Sequence, residues 1–294
     1  MIRSALYIPA ANPRAMEKAR DLPVDAILFD LEDAVAPDAK AGARDHLARA
    51  LQADYGPRQR ILRINALTTP WGADDAALAA RMAGHLDGVL LPKTAGPQDL
   101  DALAALVPGL PLWAMIETPQ GVLSAPQIAA HPRLHALVMG TNDLARELRC
   151  RNRADRLPLL PALGACLLAA RAHDRLILDG VYNAFRDIDG LRAEAEQGRD
   201  LGFDGKTLIH PDQIAIANAC FGPTEAEIAQ ARREIAAYQA ALAAGQGIAV
   251  LDGRIVENLH VEAARHLIAR AEAIAKGAHQ GQSAGSLDPA GDAR

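Results

Sequence analysis

Two acidic residues, Glu117 and Asp143, stand at the ends of consecutive apolar segments. Glu117 closes residues 112–117 and is followed by Thr-Pro, whereas Asp143 comes after a glycine turn that follows residues 136–139. An apolar strand that ends in an acid delivers its carboxylate to the rim where the strands of an α/β enzyme converge and where such enzymes perform chemistry. Two carboxylates placed in this way could hold one hard cation. They bring only oxygen ligands, with no His or Cys beside them in a zinc pattern, so Mg2+ or Mn2+ is favoured over Zn2+.

A magnesium ion held by two carboxylates keeps positions open for water and for a chelating substrate. A 2-oxo acid offers such a chelate, and the metal would then act as a Lewis acid on an enolate or carbonyl oxygen. The implied reaction class is the making and breaking of a carbon–carbon bond beside a carbonyl. Arg63 lies within the apolar segment 61–64, where a guanidinium needs an anion. That anion could be a substrate carboxylate, or Glu32 or Asp33 of the neighbouring strand, and the two options are compatible.

Eight short apolar segments alternate with longer stretches rich in Ala, Leu and Arg that are typical of helices. Each segment is a nearly continuous apolar run, as expected for a parallel strand that is covered on both faces. The predicted strands are residues 6–8, 26–30, 61–65, 88–93, 112–117, 136–140, 176–179 and 206–210. Eight of them predict an α/β fold of the closed (β/α)8 TIM barrel type, with an open doubly wound sheet as the alternative. The first strand–helix turn has no Gly-x-Gly-x-x-Gly and the chain has no P-loop, which argues against dinucleotide and nucleoside triphosphate chemistry.

Polar residues end almost every predicted strand, and in a barrel these positions would share one rim. They are Asp30, Glu32, Asp33, Arg63, Asn65, Lys93, Glu117, Asp143, Asp179 and His210. Any single member could be paired within the protein, but so many charges are expensive to bury without a ligand, and the set therefore indicates an active site. We interpret Asp30, Glu32 and Asp33 as supports that hydrogen-bond to Arg63 rather than as a second metal site. Lys93 leaves a rival open, because a lysine at a strand end could form a Schiff base with a carbonyl substrate.

The composition limits the partners of the chain. Its 294 residues carry a net charge of −5 and only 3% aromatic side chains, so there is neither a basic surface for phosphates nor a stacking platform for bases. The first residues lack the long apolar segment of a secretory signal, and charged residues interrupt every apolar stretch before it could span a membrane. We therefore expect a cytoplasmic protein with no nucleic-acid or membrane partner. Cys150, Cys166 and Cys220 are widely spaced and form no zinc or redox motif.

Seven motifs carry a resemblance to a known family. They are Arg3-Ser-Ala-Leu-Tyr-Ile-Pro, Phe29-Asp-Leu-Glu-Asp-Ala-Val, Arg63-Ile-Asn, Leu91-Pro-Lys, Ile116-Glu-Thr-Pro, Gly140-Thr-Asn-Asp-Leu and Gly205-Lys-Thr-Leu-Ile-His-Pro. Over about residues 2–270, the chain resembles the citrate lyase β subunit (CitE-like) branch of the HpcH/HpaI aldolase superfamily. The resemblance implies a (β/α)8 barrel, Mg2+ held by Glu117 and Asp143, and a substrate carboxylate bound by Arg63.

The same resemblance implies a larger substrate site. The turn formed by Gly140, Thr141 and Asn142 is similar to the family's cradle for the carboxylate of an oxo acid. The other half of the substrate would be a thioester of CoA or of an acyl carrier. Arg14 and Lys18 lie one helical turn apart after the first strand, and they could meet the phosphates of CoA or simply form a solvated helix face.

The C-terminal region predicts an extension of the barrel. We place the barrel at residues 1–222, an extension of helices and a lid hairpin at 223–276, and a disordered tail rich in Gly, Ser, Ala and Gln at 277–294. Thr224 and Glu227 form a capping box that opens a helix to about residue 244, and a second helix is predicted over about residues 261–276.

Asp252 lies with Gly253 between two apolar stretches, which is a strong signal for a two-residue hairpin turn. Turn formation alone would explain this aspartate. Malyl-CoA and citramalyl-CoA lyases, to which the chain is similar, carry an aspartate in a comparable segment that closes as a lid over a neighbouring subunit's site and supplies the acid/base group. On that resemblance we predict that Asp252 is catalytic and that the protein is a homo-oligomer, a trimer or hexamer.

The predicted function is that of an Mg2+-dependent lyase. It would cleave a 3-hydroxyacyl-CoA of the malyl-CoA or citramalyl-CoA type reversibly to a 2-oxo acid and an acyl-CoA, with Asp252 protonating the thioester enolate. The alternatives are a citrate lyase β subunit that acts on a citryl-carrier thioester, a class II aldolase that acts on free oxo acids, and a non-catalytic scaffold barrel. Arg146 and Glu147 stand where members of the family often have other residues, and they could alter the pocket.

Overall fold

Eight parallel strands close into a barrel in the order in which they occur along the chain. In the computed structural model, which describes residues 1–283, each strand pairs with its neighbours in sequence, and β1 closes the barrel against β8. The strands are β1 Ser4–Pro9, β2 Ala26–Asp30, β3 Gln59–Arg63, β4 Gly88–Leu91, β5 Leu112–Ile116, β6 Leu134–Met139, β7 Leu176–Asp179 and β8 Gly205–Leu208. The predicted (β/α)8 TIM barrel is therefore confirmed.

Helices alternate with the strands and cover the outside of the barrel. They are α1 Pro13–Lys18, α2 Lys40–Ala50, α3 Gly72–Arg81, α4 Pro97–Leu106, α5 Pro119–Leu123, α6 Ala125–Ala129, α7 Thr141–Glu147, α8 Leu160–Ala172, α9 Ile188–Leu201 and α10 Ile214–Phe221. Proline occupies the first or second position of several of these helices, including α4 and α5, where its missing N–H costs nothing.

The side chains of each strand alternate between the barrel interior and the helix layer. One set of strand residues forms an inner core, with Ala5, Leu28, Ile61, Leu90, Trp113, Val138 and Leu178 among its members. The residues between them, such as Leu6, Phe29, Leu62 and Ile177, join the helices in a larger outer core. At the carboxyl ends of the strands the inward positions change from apolar to polar, which creates the site described below.

The segment from Gly222 onward forms a compact unit of its own, separate from the barrel unit Ile2–Phe221. It contains α11 Glu225–Ala243, the hairpin β9 Ala249–Leu251 and β10 Arg254–Val256, and α12 Asn258–Ser283. The predicted capping box is present at Thr224, whose backbone N–H donates to the carboxylate of Glu227 over 2.7 Å. Asp252 and Gly253 both have positive φ, 51° and 76°, as a type I′ hairpin turn requires, so the predicted hairpin is confirmed.

The predicted tail begins at residue 277, whereas α12 continues to Ser283. Residues 284–294 of that predicted tail lie outside the described residues. Within residues 1–283, each helix is too short or too polar to cross a bilayer. The cytoplasmic location stays a prediction.

Candidate active site at the carboxyl ends of the strands

A cavity of about 320 Å³ opens at the carboxyl ends of the barrel strands. This is the end at which the loops of TIM barrels form active sites. Its lining residues include Tyr7, Asp30, Asp33, Arg63, Met115, Glu117, Gly140, Thr141, Asn142, Asp143, Asn183, Thr207 and Ile209. Most of the residues that the sequence singles out thus share one cavity.

Arg63 is held on the inner face of the barrel by the carboxylates of β2 and the turn that follows it. Arg63 and Asp30 are directly paired in the register of β2 and β3, and Arg63 donates through Nε and Nη2 to the two oxygens of Asp30 over 2.8 and 2.6 Å. Its Nη1 lies 2.9 Å from Oε2 of Glu32 and 3.9 Å from Oδ2 of Asp33. Desolvation opposes the charge of Arg63, but Asp30 and Glu32 outweigh it and hold the pKa of Arg63 well above its ordinary value. Arg63 is therefore a fixed, permanent cation at the wall of the cavity.

Lys93 connects this ion-pair cluster to the predicted metal ligand. Its ammonium donates to Oε1 of Glu32 over 2.6 Å, and its backbone N–H donates to Oε1 of Glu117 over 2.7 Å. Burial lowers the pKa of Lys93, but the hydrogen bond and charge of Glu32 more than compensate and leave the pKa raised. Formation of a Schiff base requires a neutral amine, so the pairing with Glu32 disfavours Lys93 as a nucleophile that attacks a carbonyl substrate.

Glu117 is a buried carboxylate whose charge is poorly compensated. Desolvation, followed by the nearby charge of Glu32, raises the pKa of Glu117 to about 8; Asp143 adds to this effect, and the backbone and ammonium of Lys93 oppose it. Gly140 lies against Glu117 so closely that a Cβ at Gly140 would be 2.4 Å from the Cβ of Glu117. Because any side chain at position 140 would collide with Glu117, the turn requires glycine here.

The turn after β6 places the remaining predicted substrate residues. Gly140 precedes α7, and Thr141, Asn142 and Asp143 form its first turn. Asn142 and Asn183 exchange two amide hydrogen bonds, of 3.2 and 2.7 Å, across the mouth of the cavity.

Asp143 lies 2.7 Å from Nη2 of Arg146, which is mostly exposed. An exposed ion pair of this kind contributes little, so Asp143 can exchange Arg146 for another cation at small cost. Arg146 therefore contacts a predicted metal ligand directly.

The residues at this site fit a magnesium ion. Among the described residues no three His, Cys, Asp or Glu side chains surround one point as a complete metal cage. Magnesium does not need such a cage, because one or two carboxylates together with waters and substrate oxygens are its usual ligands. Glu117, whose pKa is raised by burial and by neighbouring acids, is a carboxylate that a divalent cation would stabilise.

Five strand-end residues that the sequence placed at the rim do not line the cavity: Glu32 and Lys93, which pair with each other beside it, and Asn65, Asp179 and His210. Asp179 follows the inward-facing Leu178 and so points outward, where it pairs with Nη1 of Arg156 over 2.7 Å and with the ammonium of Lys206 over 3.2 Å. Asn65 donates to Asp75 over 2.6 Å in the helix layer, and His210 stacks on Phe185 at 4.6 Å. The expectation of one shared rim was wrong for Asp179 because alternate strand positions face opposite sides. It was wrong for Asn65 and His210 because β3 ends at Arg63 and β8 at Leu208, so both residues lie beyond their strands.

Asp252 lies in the C-terminal unit, where both of its carboxylate oxygens accept hydrogen bonds from Nη2 of Arg233 over 2.8 and 2.7 Å. Arg14 and Lys18 are exposed on α1. The catalytic and CoA-binding roles of these residues stay predictions.

Tyr7 also lines the cavity, although the sequence motifs did not single it out. It stands two positions after the inward-facing Ala5, so the alternation along the strand places it inside the barrel.

Comparison with known proteins agrees with this geometry. The model of the HpcH/HpaI aldolase/citrate lyase family matches residues 3–211, and the chain belongs to this family of enzymes. It is 61% identical over 274 residues to a (3S)-malyl-CoA thioesterase of Cereibacter sphaeroides (strain KD131), covering 93% of this chain and 95% of that protein. It is 33% identical over 302 residues to an L-malyl-CoA/beta-methylmalyl-CoA lyase of Cereibacter sphaeroides (strain ATCC 17029), covering 92% and 95%. The structure is similar to that of protein CitE from Mycobacterium tuberculosis in complex with magnesium, acetoacetate and coenzyme A, with a TM-score of 0.78, 31% identity, and coverage of 92% and 97%.

Proposed function

We propose that this protein is an Mg2+-dependent hydrolase that cleaves the thioester bond of a malyl-CoA-type substrate to release malate and CoA. The observation that carries the choice of hydrolysis is the 61% identity to a malyl-CoA thioesterase along nearly the whole chain, against 33% to a malyl-CoA lyase. The proposal keeps the substrate class that the sequence analysis predicts and changes the bond that is cleaved.

The residues of the cavity suit both ends of such a substrate. Malyl-CoA has a carboxylate and an adjacent hydroxyl at one end and a thioester at the other. Glu117 and Asp143 would hold Mg2+, which when bound supplies a positive charge for chelation of the hydroxyl and carboxylate oxygens. Arg63 stands at the wall of the same cavity, and the turn from Gly140 to Asn142 closes it on the other side.

Hydrolysis adds water to the thioester carbonyl carbon, after which the carbon–sulfur bond breaks. The oxygen of water ends in the new carboxyl group, and its two protons end on that group and on the thiol of CoA, or are lost to solvent. We propose Asp252, supplied by a neighbouring subunit of a homo-oligomer, as the group that accepts the proton of the attacking water. Asp252 is an exposed carboxylate of the hairpin turn, with Oδ2 at 2.7 Å from Nη2 of Arg233.

The lyase reaction is the second candidate. It is favoured by the placement of Glu117, Asp143 and Arg63 at one cavity in a family whose relatives include an L-malyl-CoA/beta-methylmalyl-CoA lyase. The two reactions differ in their products, because the lyase leaves CoA as acetyl-CoA and releases glyoxylate. A citrate lyase β subunit would require a carrier-bound citryl substrate, and the identity to a thioesterase of free malyl-CoA makes that role the less favoured one.

The experiment that tests the proposal is a product analysis. Purified protein is incubated with (3S)-malyl-CoA with Mg2+ or with EDTA, and free CoA, acetyl-CoA, malate and glyoxylate are separated and quantified. Equal amounts of CoA and malate that depend on Mg2+ are expected. Acetyl-CoA and glyoxylate in place of them would support the lyase, and unchanged turnover in EDTA would refute the role of the metal.

A further inference from the structure

Tyr7 places a phenolic hydroxyl in the cavity, on a strand that carries none of the residues discussed for substrate binding. It lies on β1 and packs on the inner core, and it lines the cavity together with Arg63, Met115 and Glu117. The guanidinium carbon of Arg63 lies 4.7 Å from the centre of the tyrosine ring. This cation–π contact fixes the ring and leaves the hydroxyl as its remaining reactive group.

The hydroxyl of Tyr7 has no hydrogen-bond partner in the part of the chain that the structure describes. Hydroxyls of largely buried tyrosines usually find a partner within the protein. The buried Tyr55 follows that rule, because its hydroxyl donates to the carbonyl of Met16 over 3.4 Å. Even the more exposed Tyr182 donates its hydroxyl to Asp187 over 2.6 Å. A fixed ring with an unpaired hydroxyl at a substrate-sized cavity is the arrangement expected of a group that bonds to the ligand.

The surroundings of Tyr7 also decide whether its hydroxyl donates or accepts. Burial raises the pKa of Tyr7 far above the ordinary value, and the charges of Asp30, Glu117 and Glu32 act in the same direction while Arg63 opposes them. The phenol therefore stays protonated at neutral pH and cannot serve as a base. Since it donates to no carboxylate of the described residues, it is available to donate to an oxygen of the substrate.

We propose that the hydroxyl of Tyr7 donates a hydrogen bond to the carbonyl oxygen of the thioester and stabilises the negative charge that develops there when water adds. This inference rests on the proposed hydrolase function. The hydroxyl keeps its proton throughout, so no bond to it forms or breaks. It acts as one donor of an oxyanion site, with the positive charge of Arg63 over the same ring.

The test is the variant Tyr7→Phe, which removes only the hydroxyl, assayed for release of CoA from (3S)-malyl-CoA in the presence of Mg2+. Loss of one oxyanion donor lowers kcat about 10²- to 10³-fold, whereas KM should change little because the bond strengthens mainly in the transition state. The melting temperature and the affinity for Mg2+ alone should equal those of the wild type, since the hydroxyl forms no hydrogen bond with the described residues. Tyr55→Phe is the matched control, because it removes a buried hydroxyl in the outer core and should leave kcat unchanged.

The outcomes separate the inference from the function on which it rests. Wild-type hydrolysis with the same kcat in Tyr7→Phe would overturn the role of Tyr7 and leave the hydrolase standing. A loss of kcat accompanied by a lower melting temperature or weaker Mg2+ binding would also overturn it, because the hydroxyl would then be structural. Wild-type protein that releases no CoA from the thioester would refute the proposed function, and the inference would fall with it.

Discussion

Replacement of Gly140 by alanine tests whether the turn after β6 and Glu117 form one metal-binding unit. A methyl group at Gly140 would lie 2.4 Å from Cβ and 2.7 Å from Oε2 of Glu117. Carbon atoms in contact are normally about 3.5–4.0 Å apart, so the acid and the turn must separate by about 1 Å. The backbone of Gly140 has φ −93°, which alanine adopts freely, so the crowding is the main effect of the substitution.

The expected magnitudes follow from this displacement. Overpacking costs about 1–3 kcal/mol, whereas the smaller conformational freedom of alanine in the unfolded chain stabilises by about 0.4–1 kcal/mol, so the expected net loss is centred near about 1.3 kcal/mol and does not exceed about 2.6 kcal/mol. For a unit of this size the central value lowers the melting temperature by roughly 3–5 °C. Displacement of a group that supports a metal ligand weakens metal binding about 10- to 100-fold, and we expect a loss of Mg2+ affinity in that range.

Two measurements check the prediction for Gly140→Ala. Thermal unfolding without metal gives the stability, and isothermal titration with Mg2+ gives the affinity. Gly164→Ala in α8 is the control, because a Cβ at Gly164 meets nothing within 4 Å and alanine favours the helix. If Gly140→Ala bound Mg2+ as tightly as Gly164→Ala does, Glu117 would not be a ligand held in place by this turn.

Three further predictions concern other parts of the molecule. Lys206→Met should lower the free energy of unfolding by about 3–5 kcal/mol in urea, because it removes one cation from the fully buried Asp179; a loss below about 1 kcal/mol would contradict the importance of this ion pair. Because the pKa of Glu117 is raised to about 8, Mg2+ must displace a proton from this carboxyl at pH 7. The affinity for Mg2+ should therefore rise about tenfold from pH 7 to pH 9, and calorimetric titration in buffers of different ionisation enthalpy should detect the released proton. Asp252→Asn should abolish turnover without weakening Mg2+ binding, and full activity of this variant would remove Asp252 from the mechanism. Arg233→Gln should change the free energy of unfolding by less than about 0.5 kcal/mol, because the ion pair of Arg233 with Asp252 is exposed.

The strands could be predicted from sequence because parallel strands covered on both faces are nearly continuous apolar runs. The predicted ends of the strands were less accurate where contacts with distant parts of the chain extend a strand. β1 begins at Ser4 rather than at residue 6, because Ser4 pairs with Lys206 of β8. The buried hydroxyl of Ser4 also donates to Asn218 of α10 over 2.7 Å. The partner is 214 positions away, so no local pattern indicates this contact.

The same continuous apolar runs conceal which face each residue occupies. Asp30 and Asp179 both end a strand, yet Asp30 faces the cavity and Asp179 faces the helices. The bidentate pair of Arg63 with Asp30 depends on the register between β2 and β3, which the sequence alone does not state. Tyr7 could have been found by counting alternate positions from Ala5, but its unpaired hydroxyl becomes visible only once the neighbouring side chains are placed.

The distribution of charge at the cavity favours Glu117 over the other acids as the position of the proposed divalent cation. Asp30 and Glu32 already have cationic partners in Arg63 and Lys93. Among the described residues, Glu117 accepts one hydrogen bond, from the backbone N–H of Lys93. Glu32 and Asp143 raise the pKa of Glu117, and the charge of the Lys93 ammonium only partly offsets them. A cation bound beside Glu117 would therefore find a carboxylate without a competing ion pair, whereas one bound beside Asp30 would have to displace a bidentate arginine. The pairing of the other acids thus supports the proposal that the metal binds on the side of the cavity formed by β5 and β6 and that the thioester lies near Tyr7 and Arg63.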